Sequence, residues 1–326
     1  MVERELHVVV GAAGVTGRLV VRHLLAAGCR VRAVTRDGRP VGENPAEPVA
    51  ADAADPAALA RAAAGAVALH HCAMPPLNRW RRDFPPLTDA VVAAGEATGA
   101  RVVYADDTWM YGRVTGPMTP DLPYRPVSAG GVLRAWLAQR LEHAAAAGRI
   151  RLSVVRAGEL YGPGVRSMIA GTVFGALARG RTPRWFGRPD LPITPTYVDD
   201  FARTIAAAGR LDRSDATIWH VPHPGVVTGR ELITLAADEA GCPGGPVRSI
   251  GARQLRALGA VIPLARAAAE LVYQFEQPFV VDGSATAEAF GIAPTPYAQG
   301  VGDTMHSLGC ARSERSDPRV LRPVSQ

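Results

Sequence analysis

The sequence predicts an α/β protein organised around a doubly wound parallel sheet with a smaller C-terminal lobe, and three observations carry that prediction. A β-branched run, Val8-Val9-Val10, ends in the glycine-spaced turn Gly11-Ala12-Ala13-Gly14-Val15-Thr16-Gly17. Apolar residues then recur at 15, 19, 20, 24 and 25, as one helix face requires, until Gly28 stops the pattern. From there to about residue 164 short apolar runs alternate with helical stretches, the order that parallel strands with crossover helices demand.

The opening strand, turn and helix also predict a ligand. Glycines permit a tight turn and let the backbone approach a pyrophosphate, while a helix N-terminus offers unpaired N–H groups and a positive dipole end. Gly11, Ala13, Gly14, Val15, Thr16 and Gly17 are therefore the expected cradle of a dinucleotide. The second strand, Arg30 to Arg36, ends in Thr35-Arg36, where an arginine suits the 2′-phosphate of NADP; Asp37, one place later, would serve NAD. Pro48 to Asp52 reads as a third strand with Asp52 and Ala53 near the adenine edge, and Asp55-Pro56 caps a helix through Ala64. Ala66 to Ala73 is a fourth strand, and its exit residues Cys72 and Ala73 join the cofactor set. His70-His71-Cys72 has ligand chemistry, but neighbours on a strand point to opposite faces, so no metal site is expected.

Pro75 to Pro86 reads as a long loop containing Trp80, and Leu87 to Gly99 as the next helix. Strand five, Arg101 to Ala105, runs into Asp106-Asp107-Thr108-Trp109-Met110-Tyr111-Gly112. Parallel sheets bind ligands at the carboxyl ends of their strands, which puts Ala105 and this acidic, aromatic segment beside the cofactor. A helix from Val132 to Ala147 feeds strand six, Ile150 to Val155, and a loop from Arg156 to Gly164. The expected organisation is a dinucleotide-binding domain over 1–164 with a return segment at about 192–222, a lobe over 165–191 and 223–310, and a loose tail over 311–326. Trp80, Trp109 and Trp185 are expected to line a pocket for an uncharged or weakly polar small molecule rather than a sugar nucleotide.

Bulk properties narrow the class. The net charge is +6, yet the arginines are scattered among acids and no basic stripe with interleaved aromatics exists, which argues against nucleic acid as a partner. Cys29, Cys72, Cys242 and Cys310 share no paired spacing, so reduced thiols in a cytoplasmic protein are expected. The first strand begins close to Met1, and apolar runs break well short of the ~18 residues a membrane span needs, so neither a signal peptide nor a membrane segment is expected. All 36 basic residues are arginine: the chain has no lysine.

Several segments together resemble the extended short-chain dehydrogenase/reductase family, the NAD-dependent epimerase/dehydratase group. They are the GAAGVTG turn, the Met-Tyr-Gly of residues 110–112, the R-x-x-x-x-Y-G-P-G of Arg156 to Gly164, and TYVDDFA at 196–202. The resemblance implies a Rossmann domain with a C-terminal substrate lobe, in an intracellular enzyme that is often a homodimer. It also implies a Ser or Thr five places before Gly112 and a Tyr-x-x-x-Lys on the next helix, the lysine lowering the tyrosine pKa and holding the nicotinamide ribose.

The chain departs from that pattern. The hydroxyl position is Asp107, followed by Thr108, and the helix stretch Ser128 to Ala135 has no tyrosine; Arg134 is the cation nearest the lysine position. Arginine differs from lysine in shape and is too basic to carry protons at neutral pH. A carboxyl desolvated beside an apolar nicotinamide has its pKa raised toward neutrality, so Asp107 is the expected acid/base, with Thr108 orienting substrate and Glu159 a second carboxyl across the pocket. Tyr104, Tyr111 and Tyr124 are alternative donors, Tyr111 being expected to pack. The first functional reading is an NAD(P)-dependent oxidoreductase or epimerase with an atypical acid/base set. A non-redox isomerase, dehydratase or cyclase using the cofactor as scaffold is the second, and a non-catalytic NADP-sensing regulator the third.

Overall fold

The computed structural model describes residues 4–211, 216–242 and 246–310, so the predicted tail over 311–326 lies outside the described residues. Seven strands form the central sheet: β1 (Leu6–Val10), β2 (Arg30–Thr35), β3 (Glu47–Ala50), β4 (Ala68–His71), β5 (Arg101–Asp107), β6 (Leu152–Ala157) and β7 (Thr217–His220). Their order is β3-β2-β1-β4-β5-β6-β7, and every pairing is parallel. Strand order reverses between β1 and β4, which opens a crevice at their carboxyl ends where such sheets take ligands.

Both faces are covered, and the strands are apolar throughout for that reason. Val8, Val10, Leu69, Val102 and Val154 pack on the side of α2 (Pro56–Ala62), α3 (Trp80–Thr98) and α4 (Ala129–Ala146). Val9, Val103 and Val155 pack on the opposite side with Val20, Val21 and Leu24 of α1 (Val15–Ala26) and Phe201 and Ile205 of α5 (Val198–Gly209). Asp199, in the first turn of α5, takes ion pairs from Arg22 and His23 of α1, which ties the TYVDDFA segment to the first helix. A third cluster joins Met110 and Tyr111 to Trp185, Leu232 of α6 (Gly229–Glu239), Tyr273, Phe275 and Val301. Among the described residues no helix is long and apolar enough to cross a membrane.

Four local expectations change. α3 begins at Trp80, with Pro85 and Pro86 inside it, instead of at Leu87. Trp80 and Phe84, one turn apart, bury together against Leu137, and the Trp80 indole N–H donates to the Pro75 carbonyl at 2.9 Å; that packing overrides the two lost backbone donors. α4 begins at Ala129 instead of Val132 because Ser128 caps it, its Oγ accepting the Gly131 N–H at 3.0 Å, although Gly130 and Gly131 are poor helix formers. β5 and β6 both run two residues further than expected, to Asp107 and Ala157, so Asp106 and Arg156 stand side by side within the sheet.

The fourth change concerns Trp185. It is 1 % exposed and packs edge-on to Phe275 at 5.3 Å and flat against Gly229, where a Cβ would come within 2.4 Å of the indole. It is a core residue of the lobe and not part of a pocket wall. Trp185→Ala should cost about 3–5 kcal/mol in urea-induced unfolding while leaving nucleotide affinity unchanged.

Candidate active site

The turn after β1 is built for close approach. Gly11 has φ +78°, and a Cβ there would lie 2.6 Å from the Ala73 backbone at the exit of β4. A Cβ on Gly17 would lie 2.3 Å from the Gly11 carbonyl oxygen, so only glycine lets the first turn of α1 sit on the loop. Gly14 is the N-cap and supplies no side-chain acceptor, and no acid lies in that turn. The N–H groups of Val15, Thr16 and Gly17 thus have neither intrahelical acceptors nor a competing carboxylate, which fits the phosphates of a dinucleotide.

The other cofactor-side residues lie along the same crevice. Thr35 is buried at the end of β2, Arg36 is exposed beside it, and the Asp37 carboxylate accepts the Arg39 N–H at 3.4 Å. Asp52 is an exposed turn residue accepting the Ala54 N–H at 3.0 Å, with Ala53 half-buried behind it. Cys72 donates its N–H to the Val10 carbonyl at 2.9 Å, and burial pushes its thiol up to about 12, so it stays neutral. Ala105 is half-buried on β5. His70 accepts or donates to His7 at 3.0 Å, and His71 stacks on Tyr104 at 4.7 Å, so the two histidines serve packing.

The carboxyl ends of β5 and β6 carry a buried charge network. Arg134, 5 % exposed, places Nη2 2.8 Å from Asp106 Oδ1 and Nε 2.8 Å from Asp107 Oδ2. Its guanidinium also lies over the rings of Phe84 at 4.8 Å and Trp80 at 5.6 Å. The expectation that Arg134 takes the place of the ribose-binding lysine is therefore corrected: two carboxylates and two rings hold it. Arg156, fully buried, donates Nε to Asp106 Oδ2 at 3.2 Å, Nη1 to the Tyr111 hydroxyl at 2.6 Å and Nη2 to the Tyr124 hydroxyl at 2.5 Å. Tyr111 also meets His220 Nε2 at 2.8 Å, and Tyr124 donates to Glu142. Tyr111 packs as expected, and neither it, Tyr124 nor Tyr104, which meets Thr88 at 2.8 Å, is free to carry protons.

Asp107 differs from its neighbour. It faces one arginine where Asp106 faces two, it remains 19 % exposed, and burial pushes its carboxyl up to about 6 against the opposing pull of Arg134. Its Oδ1 accepts the Trp109 N–H at 2.9 Å, which fixes the turn after β5; the Thr108 hydroxyl is buried without a partner. Trp109 stacks on Trp80 at 5.3 Å. A Cβ on Gly130, four residues before Arg134, would come 3.2 Å from the Trp109 ring, so the indole occupies the space a side chain at that position would need.

The Glu159 carboxyl is engaged by the lobe: its Oε1 accepts the Met168 N–H at 2.8 Å and the Ile169 N–H at 3.3 Å, capping a turn there, and burial pushes it up to about 7. A cleft of about 770 Å³ opens between the segments around Arg113 and Val127 and the helices α7 (Ala252–Gly259) and α8 (Pro263–Leu271), with Arg253, Arg256, Glu270, Tyr273 and Glu276 in its wall and neither Asp107 nor the glycine turn among its lining residues. Glu270 reaches across to accept the Ala129 N–H at 3.0 Å, linking α8 to the start of α4. The lining is charged and shares no residue with the pocket expected around Trp80, Trp109 and Trp185. Sequence reasoning missed Arg113, Arg156 and Tyr273; an acid and an arginine at matching places on adjacent core strands was the available signal for Asp106–Arg156.

A doubly wound parallel sheet with a glycine turn at its switch point is the architecture of dinucleotide-binding folds. The chain belongs to the NAD dependent epimerase/dehydratase family, whose model matches residues 7–219. Among solved structures it is similar to UDP-glucuronic acid 4-epimerase from Bacillus cereus in complex with UDP-glucuronic acid and NAD, at 16% identity and TM-score 0.74, covering 93% of this chain and 99% of that one. DesIV, the dTDP-glucose 4,6-dehydratase from Streptomyces venezuelae with NAD and TYD bound, matches at 22% identity and TM-score 0.71 over 94% of this chain and 96% of that one. The protein gox2253 matches at 20% identity and TM-score 0.77 over 94% and 98%. No curated protein matches the chain at a significant level.

Removing Arg134 leaves Asp107 without a cation and Asp106 with Arg156 alone, so Arg134→Met should destabilise the fold by about 3–5 kcal/mol in denaturant melts. Glu159 gives a pH test. A carboxyl whose folded pKa of about 7 exceeds its unfolded value binds its proton more tightly in the native state. Its stabilising contribution is full below the unfolded pKa and lost as pH rises through about 7. Buried His71 and His220, held down to about 3 and about 4, act in the opposite sense, so the readout is a difference. The Tm of wild type relative to Glu159→Gln should fall between pH 5 and pH 8.

Proposed function

We propose that the chain binds NADP, with NAD as the weaker alternative, and acts as an oxidoreductase or epimerase on a small anionic metabolite, using Asp107 as its acid/base. The observation that carries this reading is the Asp107 carboxyl: it stands where the family's hydroxyl is expected, remains partly exposed, and is held at about 6. The backbone of Gly14 to Gly17 would hold the phosphates, with Thr35 and Arg36 toward the adenosine ribose. Arg36 at the end of β2 is what favours a 2′-phosphate.

When bound, the nicotinamide supplies a hydride acceptor and donor. The protein's part is the proton. At neutral pH Asp107 is mostly ionised and takes the proton of a substrate hydroxyl as the carbinol is oxidised; the same carboxyl returns it when the carbonyl is reduced. Arg134 beside it limits the rise in its pKa, which keeps the base ready without leaving it fully charged in a dry site. Arg113, Arg253 and Arg256 around the cleft suit a phosphate- or carboxylate-bearing ligand, and UDP-glucuronic acid, bound in one of the similar structures, is of that kind. The four free cysteines suit a reducing cytoplasm.

Titration calorimetry with NADP+ and NAD+ tests the cofactor, with Arg36→Ala expected to weaken NADP+ by about tenfold and to spare NAD+, as the loss of one charge-assisted hydrogen bond implies. Turnover is tested on UDP-glucuronic acid, UDP-glucose and dTDP-glucose, following absorbance at 340 nm and product chromatography. Asp107→Asn should lower kcat by about 10²–10⁴-fold, and wild-type kcat should rise with pH through about 6. Undiminished turnover in Asp107→Asn removes the assignment; product formed without any transient or net change at 340 nm selects non-redox chemistry instead.

A further inference from the structure

We propose that the amino-terminal edge of the central sheet holds one zinc-class divalent ion, with the Glu5 carboxylate, the His7 imidazole and the Cys29 thiolate as its ligands. One ligand atom from each residue lies within 4.8 Å of the other two. Glu5 precedes β1 and the glycine turn follows it, so the site is separate from the dinucleotide crevice and independent of the role given to Asp107. His70, which the sequence sets beside His71 and Cys72, enters only as the partner of His7.

Strand register brings the three residues together. β1 and β2 pair in parallel with Leu6 opposite Arg30 and His7 opposite Val31, so Glu5 stands opposite Cys29, and the Arg30 N–H donates to the Glu5 carbonyl at 2.9 Å. Side chains two apart on a strand share a face, which puts Glu5 and His7 on the side of Cys29, the face that α1 and α5 cover. The turn out of α1 ends at Cys29, whose N–H donates to the Leu24 carbonyl at 3.0 Å, and the residue is 8 % exposed. His7 carries the second observation. Its side chain has no exposed surface and its Nε2 has no hydrogen-bond partner, since the Glu5 carboxylate is 3.7 Å away, too far to accept. A buried polar atom left without a partner is costly and calls for an unseen one, such as an ion.

The rest of the His7 ring is arranged as a metal ligand requires. Its Nδ1 meets His70 Nε2 at 3.0 Å, and Gly209 at the end of α5 packs on that second ring, where a Cβ would come within 2.3 Å. With Nδ1 as the donor of that bond, Nε2 presents a bare lone pair toward Glu5, and His70 is the outer partner that fixes the tautomer. Burial holds the His7 pKa below its usual range against the pull of Glu5, so the ring has no proton to lose near pH 7. Sulfur, nitrogen and oxygen donors together suit zinc, whereas magnesium and calcium take oxygen. Ligand atoms on a tetrahedral zinc stand about 3.3–3.8 Å apart, so closing the triad needs a shift of about 1 Å, which the exposed Glu5 side chain can supply. The same exposure leaves the fourth position to water. Binding releases the Cys29 proton to solvent. Carboxylate and thiolate then cancel the two charges of the ion, so the filled site presents no net charge to Arg210, the cation acting on both His7 and Cys29. The ion would clamp the start of β1 to the start of β2.

Full-length protein, reduced and stripped of metal with EDTA, is titrated with Co2+ as a spectroscopic probe and with Zn2+ by calorimetry. One ion per chain should bind, and cobalt should show the visible bands of a tetrahedral ion with a thiolate-to-cobalt transition in the near ultraviolet, both removed by added zinc. Cys29→Ser should abolish that transition. Glu5→Gln alters a side chain that is 56 % exposed, so it tests the site without disturbing the core. It should weaken zinc by about tenfold or more, since even the loss of an outer partner costs about 10–100-fold. The zinc-dependent rise in Tm should move to correspondingly higher zinc concentration in the same variant. A thiolate transition that persists in Cys29→Ser would put the ion on another cysteine and overturn the proposal. So would a zinc affinity unchanged in Glu5→Gln, or a wild type that binds neither ion.

Discussion

Everything at the carboxyl end of the sheet depends on the balance between Asp106 and Asp107 on β5 and Arg134 and Arg156 facing them. Charges with almost no contact with water are tolerated only when paired. Asp106 is shared by both arginines, and this lets β5 and β6 remain paired to their last residues. Asp107 is left with one arginine and stays partly exposed. The same contacts that stabilise the sheet end thus give two adjacent aspartates different surroundings: one is shared by two guanidinium groups and the other is paired with one.

The hydrophobic layers explain why the network sits where it does. α1 and α5 cover one face of the sheet and α2 to α4 the other, so polar groups can reach solvent only past the strand ends. At β1 that exit is made of backbone, with Gly11 and Gly17 holding side chains away; at β5 it is made of side chains. The lobe meets the second exit through Glu270 on the start of α4.

Local chemistry was the part of this molecule that the sequence made legible. The glycine turn, the Asp55 cap before Pro56, the core strands and the placement of Asp107 follow from spacing and residue type, because each is decided by neighbours within a few positions. What escaped depends on distant partners. Pro85 and Pro86 hid the first turns of α3, whose packing of Trp80 on Trp109 and Leu137 comes from elsewhere in the chain. Gly130 and Gly131 hid the start of α4 in the same way. Arg134 could be read as a stand-in for lysine only until both aspartates were seen to claim it, and Trp185 as a pocket residue only until Gly229 and Phe275 were found against its faces.

The close fit of Trp109 against Gly130 bears on redesign. A side chain introduced at 130 would start 3.2 Å from the indole, so Trp109 would have to shift to admit it, and removing the indole would uncover Trp80. The two positions are therefore coupled, and a variant that restores a phenol on this helix would call for a smaller residue at 109 at the same time.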